Sequence, residues 1–167
     1  MSARALRWIL LAAGPALLVA LAAGGEPLAI GDRLEPVGLE DQHGESHTID
    51  TAVKRLLFSR DMDGGDVLKE AVADQTGESL GALGAVYVAD IHEMPGLVAR
   101  LFAIPAMRKR AYPVLLDRDG TATANLPDEE GKATILVLDG LVLKEAHHLA
   151  TVEAVRAQLG LAAREAD

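Results

Sequence analysis

Residues 55–72 read RLLFSRDMDGGDVLKEAV, and this stretch predicts a strand, a short loop and a helix. Its first residues, 55–59, form an apolar run of strand length. After the loop, apolar residues recur at the spacing of one helix face: Val67, Leu68, Ala71 and Val72. Asp63 is the predicted N-cap of that helix, and Asp66 falls in its first turn, where a carboxylate suits the helix dipole.

Strands and turns are predicted on both sides of this unit. Upstream, residues 31–50 carry turn residues between apolar positions and predict a loose hairpin. Downstream, residues 84–90 and 112–117 are apolar runs that predict two more buried strands. Residues 133–145 predict a second hairpin with the Asp-Gly pair 139–140 at its tip, because this dipeptide favours a tight turn between strands.

Two further helices complete the predicted order. One follows Pro95, a residue suited to the first helical position, and Pro105 is expected to stop or kink it. Its predicted apolar face consists of Leu97, Val98, Leu101 and Phe102. The last helix begins after Thr151 and ends before Gly160. The order predicts an α/β domain with a parallel central sheet, an antiparallel edge hairpin and helices on both faces.

This order of elements resembles the thioredoxin-like superfamily, especially its peroxiredoxin and TlpA-type branch. The matching stretches are residues 31–44, Tyr112 to Gly120 and Ala133 to Gly140. The resemblance implies a mixed central sheet that ends in a β-hairpin and a helix. It also implies that a C-x-x-C pair opens the helix after the first long strand. Here Asp63 and Asp66 stand in the two cysteine places, as in exported proteins of this fold that lack the redox cysteines.

The chain contains no cysteine at all, which limits its chemistry. Disulfide exchange requires a thiolate that attacks sulfur and a second thiol that resolves the adduct. Peroxide reduction by peroxiredoxins likewise begins with oxidation of a thiolate. We therefore expect neither thiol oxidoreductase nor thiol peroxidase activity, although the scaffold of those enzymes is implied.

The loop that replaces the cysteines is the candidate binding site. Its residues are Asp61, Met62, Asp63, Gly64, Gly65 and Asp66, with Lys132 added because many peroxiredoxins have an arginine there. Helix capping by the acidic residues is the alternative interpretation, since Asp at an N-cap accepts a bond from the first-turn amides. The D-x-D-G pattern of this loop lacks the remaining ligands of a calcium loop. No residue is assigned a catalytic or metal-binding role.

Composition and motifs exclude several other functions. The formal net charge of −9 argues against nucleic acid as a partner. The five histidines lack the spacing of a metal site, and no glycine-rich nucleotide motif opens a helix, so no cofactor is predicted. A second D-x-D-G, residues 117–120, is interpreted as a turn. The basic run Arg108 to Arg110 is interpreted as a solvated helix end, with docking of an anionic ligand or an acidic partner as the alternative.

The N-terminal residues predict export from a bacterial cell. Arg4 and Arg7 precede an apolar run from Trp8, and small residues at 20 and 22 suit signal cleavage. The alternative is an uncleaved anchor in the inner membrane, which would be the only membrane contact. The predicted boundaries are listed together: signal peptide 1–22, linker 23–30, thioredoxin-like domain 31–160 and C-terminal tail 161–167.

The sequence thus predicts a periplasmic, redox-inactive domain that binds another envelope protein or a small ligand through the former active-site face. One alternative is an enzyme with non-thiol chemistry, in which Asp63 or Asp66 acts as base and Lys132 as electrostatic stabiliser. Another is a passive structural subunit of an envelope complex, which predicts an exposed apolar patch. Whether the chain is an enzyme stays open, with the absence of thiols favouring a binding role.

Overall fold

A computed structural model describes residues 26–163, so the predicted signal peptide and the end of the predicted tail lie outside the described residues. One seven-stranded sheet has the strand order β2-β1-β5-β4-β3-β6-β7. The strands are β1 (Val37–Asp41), β2 (Ser46–Ile49), β3 (Arg55–Ser59), β4 (Ala85–Asp90), β5 (Val114–Asp117), β6 (Ala133–Asp139) and β7 (Val142–Leu149). Strands β3, β4 and β5 run parallel, and every other pairing is antiparallel. The predicted mixed sheet with its terminal hairpin is confirmed.

Helical segments connect and follow these strands. They are α1 (Met62–Ala71), α2 (Gly77–Ala82), α3 (Gly96–Val98), a π-helical turn (Ala99–Ala103), α4 (Ile104–Met107) and α5 (Val152–Leu159). The short helix α2 was not predicted, because its glycines suggested only the end of α1. Thr76 caps α2 by accepting a hydrogen bond from the Ser79 amide, while the Ser79 hydroxyl oxygen accepts one from the Thr76 amide. No helix within residues 26–163 is long and apolar enough to span a membrane.

The core consists of two apolar clusters, one on each face of the sheet. The described helices place their buried side chains in the same cluster, for example Leu68 of α1 and Leu159 of α5. The cluster on the other face is closed by loop residues such as Leu34, Val53 and Leu126. The sequence predicted helices on both faces, whereas the buried apolar side chains of the described helices all lie in one of the two clusters. The connections from β3 to β4 and from β4 to β5 step in the same direction along the sheet. Because such connections share one handedness, both place their helices on the same face.

The segments α3, π-turn and α4 form one continuous helical stretch, called here the 96–107 helix. Its buried residues are Ala99 and Ile104, five positions apart. The amide of Ile104 donates to the Ala99 carbonyl, which is the wide turn of a π-helix. Pro105 therefore does not stop the helix, which continues to Met107. A proline lacks the amide donor and clashes with the carbonyl four residues back, and the wide turn before it accommodates both effects.

The predicted apolar face of this helix points outward. The exposed fractions are Leu97 64%, Val98 43%, Leu101 52% and Phe102 68%. The π-turn places Ile104 on the same side as Ala99, so these two side chains reach the core and the larger apolar side chains lie away from it. These side chains instead form an exposed apolar surface beside the start of α1.

Candidate binding groove

Helix α1 begins with Met62, and Asp61 is its N-cap. One carboxylate oxygen of Asp61 accepts a hydrogen bond from the Gly64 amide at 2.7 Å. The other accepts one from the Gly131 amide, also at 2.7 Å. The N-cap thus lies two residues before the predicted cap Asp63, which is exposed in the first turn. The physical reason is tertiary, because only Asp61 satisfies an amide of the loop before β6 as well as one of the helix.

Gly64 allows that loop to approach the helix closely. A Cβ at this position would lie 2.7 Å from the Lys132 carbonyl carbon, and closer still to its oxygen. The backbone of Lys132 therefore contacts α1, whereas its amino group forms an ion pair with Glu129 at 2.5 Å. This hydrogen bond lowers the pKa of Glu129 below its ordinary value. The positive charge of Lys132 is therefore paired within the loop before β6, with Glu129.

A groove with a volume of about 660 Å³ runs between the start of α1 and the 96–107 helix. Its base is formed by residues at the carboxyl ends of β3 and β4, the edge of a parallel sheet where ligand sites commonly lie. Of the predicted loop residues, those that line the groove are Asp61, Met62, Gly65 and Asp66. Asp63, Gly64 and Lys132 do not line it. The structure thus brings four of the seven predicted site residues to one cavity.

The rim and walls of this groove are apolar. Met62 is 75% exposed at the start of α1, and Phe102 and Val98 face it from the 96–107 helix. Ile91 and Met94 contribute further apolar side chains between them. Large apolar side chains that remain in water gain free energy when a ligand or partner covers them.

Most charged groups in the groove are already paired. The Arg60 guanidinium donates to Asp90 at 3.2 Å and to Asp128 at 2.6 Å, and it also donates to the Thr123 carbonyl. Asp66 forms an ion pair with Lys69 on the exposed side of α1. These pairs position the loops around the groove and leave little free charge for a ligand.

Arg110 is the exception. Its guanidinium lies above the ring of Tyr87, with 5.8 Å between Cζ and the ring centroid. Within residues 26–163, its Nη1 is the one buried side-chain nitrogen or oxygen without a hydrogen-bond partner. The Tyr87 hydroxyl donates to the Gly65 carbonyl, and burial raises the pKa of Tyr87 although the nearby Arg110 charge opposes this. The base of the groove therefore holds a partly desolvated cation.

The acidic residues in the turns near the groove accept hydrogen bonds from backbone amides. Asp117 accepts from the Gly120 amide at 2.9 Å, and Asp119 accepts from the Thr121 amide at 3.0 Å, as in a turn. Burial alone would raise the pKa of Asp90, but hydrogen bonds from the His92 amide and ring outweigh burial and lower it. These contacts are those of structural carboxylates.

One group of possible metal ligands lies away from the groove, in the hairpin of β1 and β2. Ligand atoms of Asp41, Glu45 and His47 lie within 4.8 Å of one another, and this is the one such group in residues 26–163. Asp41 already accepts hydrogen bonds from the Glu45 and His43 amides and contacts the His47 ring at 3.1 Å. The cluster thus closes the hairpin turn.

Sequence reasoning did not assign to the groove the residues that β4, the 96–107 helix and the segments flanking that helix bring there: Tyr87, Met94, Phe102, Ala106 and Arg110. Arg110 was noticed only as part of a basic run. Its neighbour Arg108 donates to the Gln42 carbonyl at 2.8 Å, so the run is divided between two environments. The other signal was the regular spacing of apolar residues from Leu97 to Phe102, which the sequence analysis interpreted as a core-facing side of the helix.

Comparisons with known proteins show the fold. No family model matches the chain, and no curated protein matches it. A peroxidoxin BcpB from Mycobacterium tuberculosis is similar in structure, with a TM-score of 0.53 and 18% identity over 78% of this chain and 92% of the other. A putative protein disulfide isomerase from Bacteroides thetaiotaomicron has a TM-score of 0.56 and 12% identity, covering 82% and 89%.

A putative thiol:disulfide interchange protein DsbE from Chlorobium tepidum has a TM-score of 0.54 and 18% identity, covering 79% of this chain and 96% of the other. Each match spans most of both chains, so the likeness concerns the whole domain. The chain has the thioredoxin-like fold and contains no cysteine.

Proposed function

We propose that this thioredoxin-like chain is an exported, redox-inactive binding protein that holds a small ligand or a segment of an envelope partner. The binding site is the groove between α1 and the 96–107 helix. The observation that carries the proposal is a cavity of about 660 Å³ at the former active-site loop, lined by exposed apolar side chains. Export rests on the N-terminal basic residues and apolar run.

The chemistry of the groove supports binding more than catalysis. Without a thiolate, neither disulfide exchange nor peroxide reduction has its nucleophile. The non-thiol alternative requires a base from Asp63 or Asp66 next to Lys132, yet Lys132 pairs with Glu129 and neither it nor Asp63 lines the groove. Asp90 lines the groove, and although burial raises its pKa, hydrogen bonds from the His92 amide and ring hold the pKa below its ordinary value, which disfavours Asp90 as a general base near neutral pH.

The exposed apolar surface also supports the structural-subunit alternative. Leu97 and Leu101 lie on the 96–107 helix but outside the groove, and both are more than half exposed. A protein partner that covers this helix would bury them together with Phe102. The two functions are separable, because filling the groove would leave Leu97 and Leu101 unchanged.

A neutral, apolar fluorescent dye such as Nile red tests the groove in the full-length protein. Ala106 lines the groove and is exposed, so Ala106→Trp fills the cavity without disturbing the core. Ala82 is exposed on α2 and does not line the groove, so Ala82→Trp is the matched control. We expect wild type and the control to bind the dye, and Ala106→Trp to lose most of the binding.

Equal binding by both tryptophan variants would refute the groove as the site. The redox claim is tested separately with insulin reduction and peroxide consumption by the purified full-length chain. Both assays should give no rate above the blank, because no thiol is present. A turnover rate that follows the protein concentration would overturn the redox-inactive assignment.

A further inference from the structure

The groove combines an apolar wall with a single unpaired cation at its base. Arg110 forms no ion pair with any residue in 26–163, and its Nη1 is buried without a hydrogen-bond partner. A buried guanidinium nitrogen without a hydrogen bond is costly, and a small rotation of the Arg110 side chain towards the groove would let a bound carboxylate supply that bond. Guanidinium and carboxylate also match in geometry, since both are planar and form two parallel hydrogen bonds.

The other charges of the groove do not offer a second place for an anion. Arg60 is neutralised by Asp90 and Asp128, and Lys69 by Asp66. Glu93 is exposed at the rim, and its negative charge disfavours a ligand with several anionic groups. The charges therefore select a ligand with one carboxylate.

The remaining lining selects the rest of the ligand. Besides Arg110, the groove is lined by Met107, Met94, Phe102 and Met62, of which Phe102 and Met62 are largely exposed. Methionine side chains are flexible and adapt to apolar ligands of irregular shape. The volume of about 660 Å³ is within the range of small-molecule sites.

An extended peptide fits this site less well. Peptides of that kind gain affinity by pairing with the free edge of a sheet. In the described sheet the edge strands are β2 and β7, whereas the groove lies over β3 and β4 in the interior of the sheet. The backbone groups at the start of α1 are also occupied, since Asp61 binds the amides of Gly64 and Gly131.

We infer that the groove binds a small amphipathic monocarboxylate, such as a medium-chain fatty acid, with its carboxylate on Arg110. The apolar chain lies between Met94, Phe102 and Met62. This inference rests on the proposed function and names the chemical class of the ligand.

Calorimetric titration of the full-length protein tests the inference with dodecanoate and dodecan-1-ol, both kept below the concentrations at which they aggregate. The two probes share a chain and differ in charge. We expect dodecanoate to bind at least about tenfold more tightly, because a charge-assisted bond to Arg110 is available only to the acid. Arg110→Gln should weaken dodecanoate about tenfold and leave dodecan-1-ol unchanged, and Arg110→Lys should lie between. Arg118, exposed and outside the groove, gives the control Arg118→Gln, which should match wild type.

The outcomes separate this inference from the proposed function. If the acid and the alcohol bind equally, or if Arg110→Gln and Arg118→Gln act alike, the carboxylate inference is wrong. Nile red binding that Ala106→Trp abolishes would then still support the groove. If neither Nile red nor dodecanoate binds, both proposals fail. Should Arg110→Gln not fold, the comparison of acid with alcohol on wild type decides alone.

Discussion

At the first turn of α1, two adjacent glycines have different roles that the sequence does not distinguish. Gly64 packs against the backbone of Lys132, whereas a Cβ on Gly65 would meet only the Ser59 side chain, at 3.5 Å from its hydroxyl oxygen and 3.9 Å from its Cβ. Gly64→Ala should therefore reduce the free energy of unfolding by about 1–3 kcal/mol, the usual cost of overpacking. Gly65→Ala should leave the free energy of unfolding unchanged or raise it by up to about 1 kcal/mol, because alanine favours the helical conformation more than glycine does.

Urea denaturation of both variants measures this difference. The pair is well matched, since both positions lie in one helix turn and both replacements add a single methyl group. If the two variants have the same midpoint, the close approach of the loop before β6 to α1 is not present in solution.

The acidic residues of the same turn also differ in energy. Asp61 satisfies two backbone amides, so Asp61→Ala should cost about 1–2 kcal/mol of unfolding free energy. Asp63 is exposed and acts only through the helix dipole, so Asp63→Ala should cost about 0.5 kcal/mol or less. Thermal unfolding followed by circular dichroism gives both values. A larger loss of unfolding free energy for Asp63→Ala than for Asp61→Ala would show that Asp63 is the N-cap, as the sequence predicted.

Within the 96–107 helix, the π-turn decides which side chains reach the core. Ile104 is 8% exposed, and Ile104→Ala should lower the unfolding free energy by about 2–4 kcal/mol through the lost burial and the cavity left behind. Phe102 is 68% exposed, and Phe102→Ala should change the unfolding free energy by about 0.5 kcal/mol or less. Denaturation in urea compares the two. Similar losses would mean that Phe102 packs inward and that the apolar surface does not exist.

The same helix shows where sequence patterns stop being sufficient. The strands were predictable because their apolar runs are local, and β3, β4, β5 and the last hairpin all appear where expected. The face of the 96–107 helix was not, since Pro105 alters the turn that the periodicity assumes. One side of the groove was predictable, because the loop at the start of α1 follows from the strand–helix pattern. Arg110 and Phe102 join it only through the crossover between β4 and β5.

Across the whole molecule, the fold is similar to that of thiol-dependent proteins, although the chain contains no cysteine. Packing explains how this is possible, since the helix start is fixed by Asp61 and Gly64 and not by any cysteine. The sheet and its helices therefore keep the groove open without redox chemistry. A cavity held open by packing is available for binding, which is the link between the fold and the proposed function.

One ion pair joins distant parts of the chain and gives the fold a pH dependence. Arg156 of α5 is buried and donates to both carboxylate oxygens of Asp74, at 2.9 and 3.0 Å, and to the Ala71 carbonyl at the end of α1. These hydrogen bonds hold the pKa of Asp74 well below its ordinary value of 3.8. A carboxyl group with a lowered pKa in the folded state stabilises the fold above its unfolded pKa. That contribution is lost as the pH falls below 3.8 towards the folded pKa.

The urea midpoint of Asp74→Asn should therefore lie below that of wild type at pH 7, and the difference should stay constant down to about pH 4. Below that, the two midpoints should converge, because wild type loses the charge that the variant never had. Glu35 is exposed and forms no ion pair with a described residue, so Glu35→Gln is the control and should follow wild type throughout. A difference for Asp74→Asn that persists unchanged to pH 2 would show that the pair between Asp74 and Arg156 contributes through shape and not through charge.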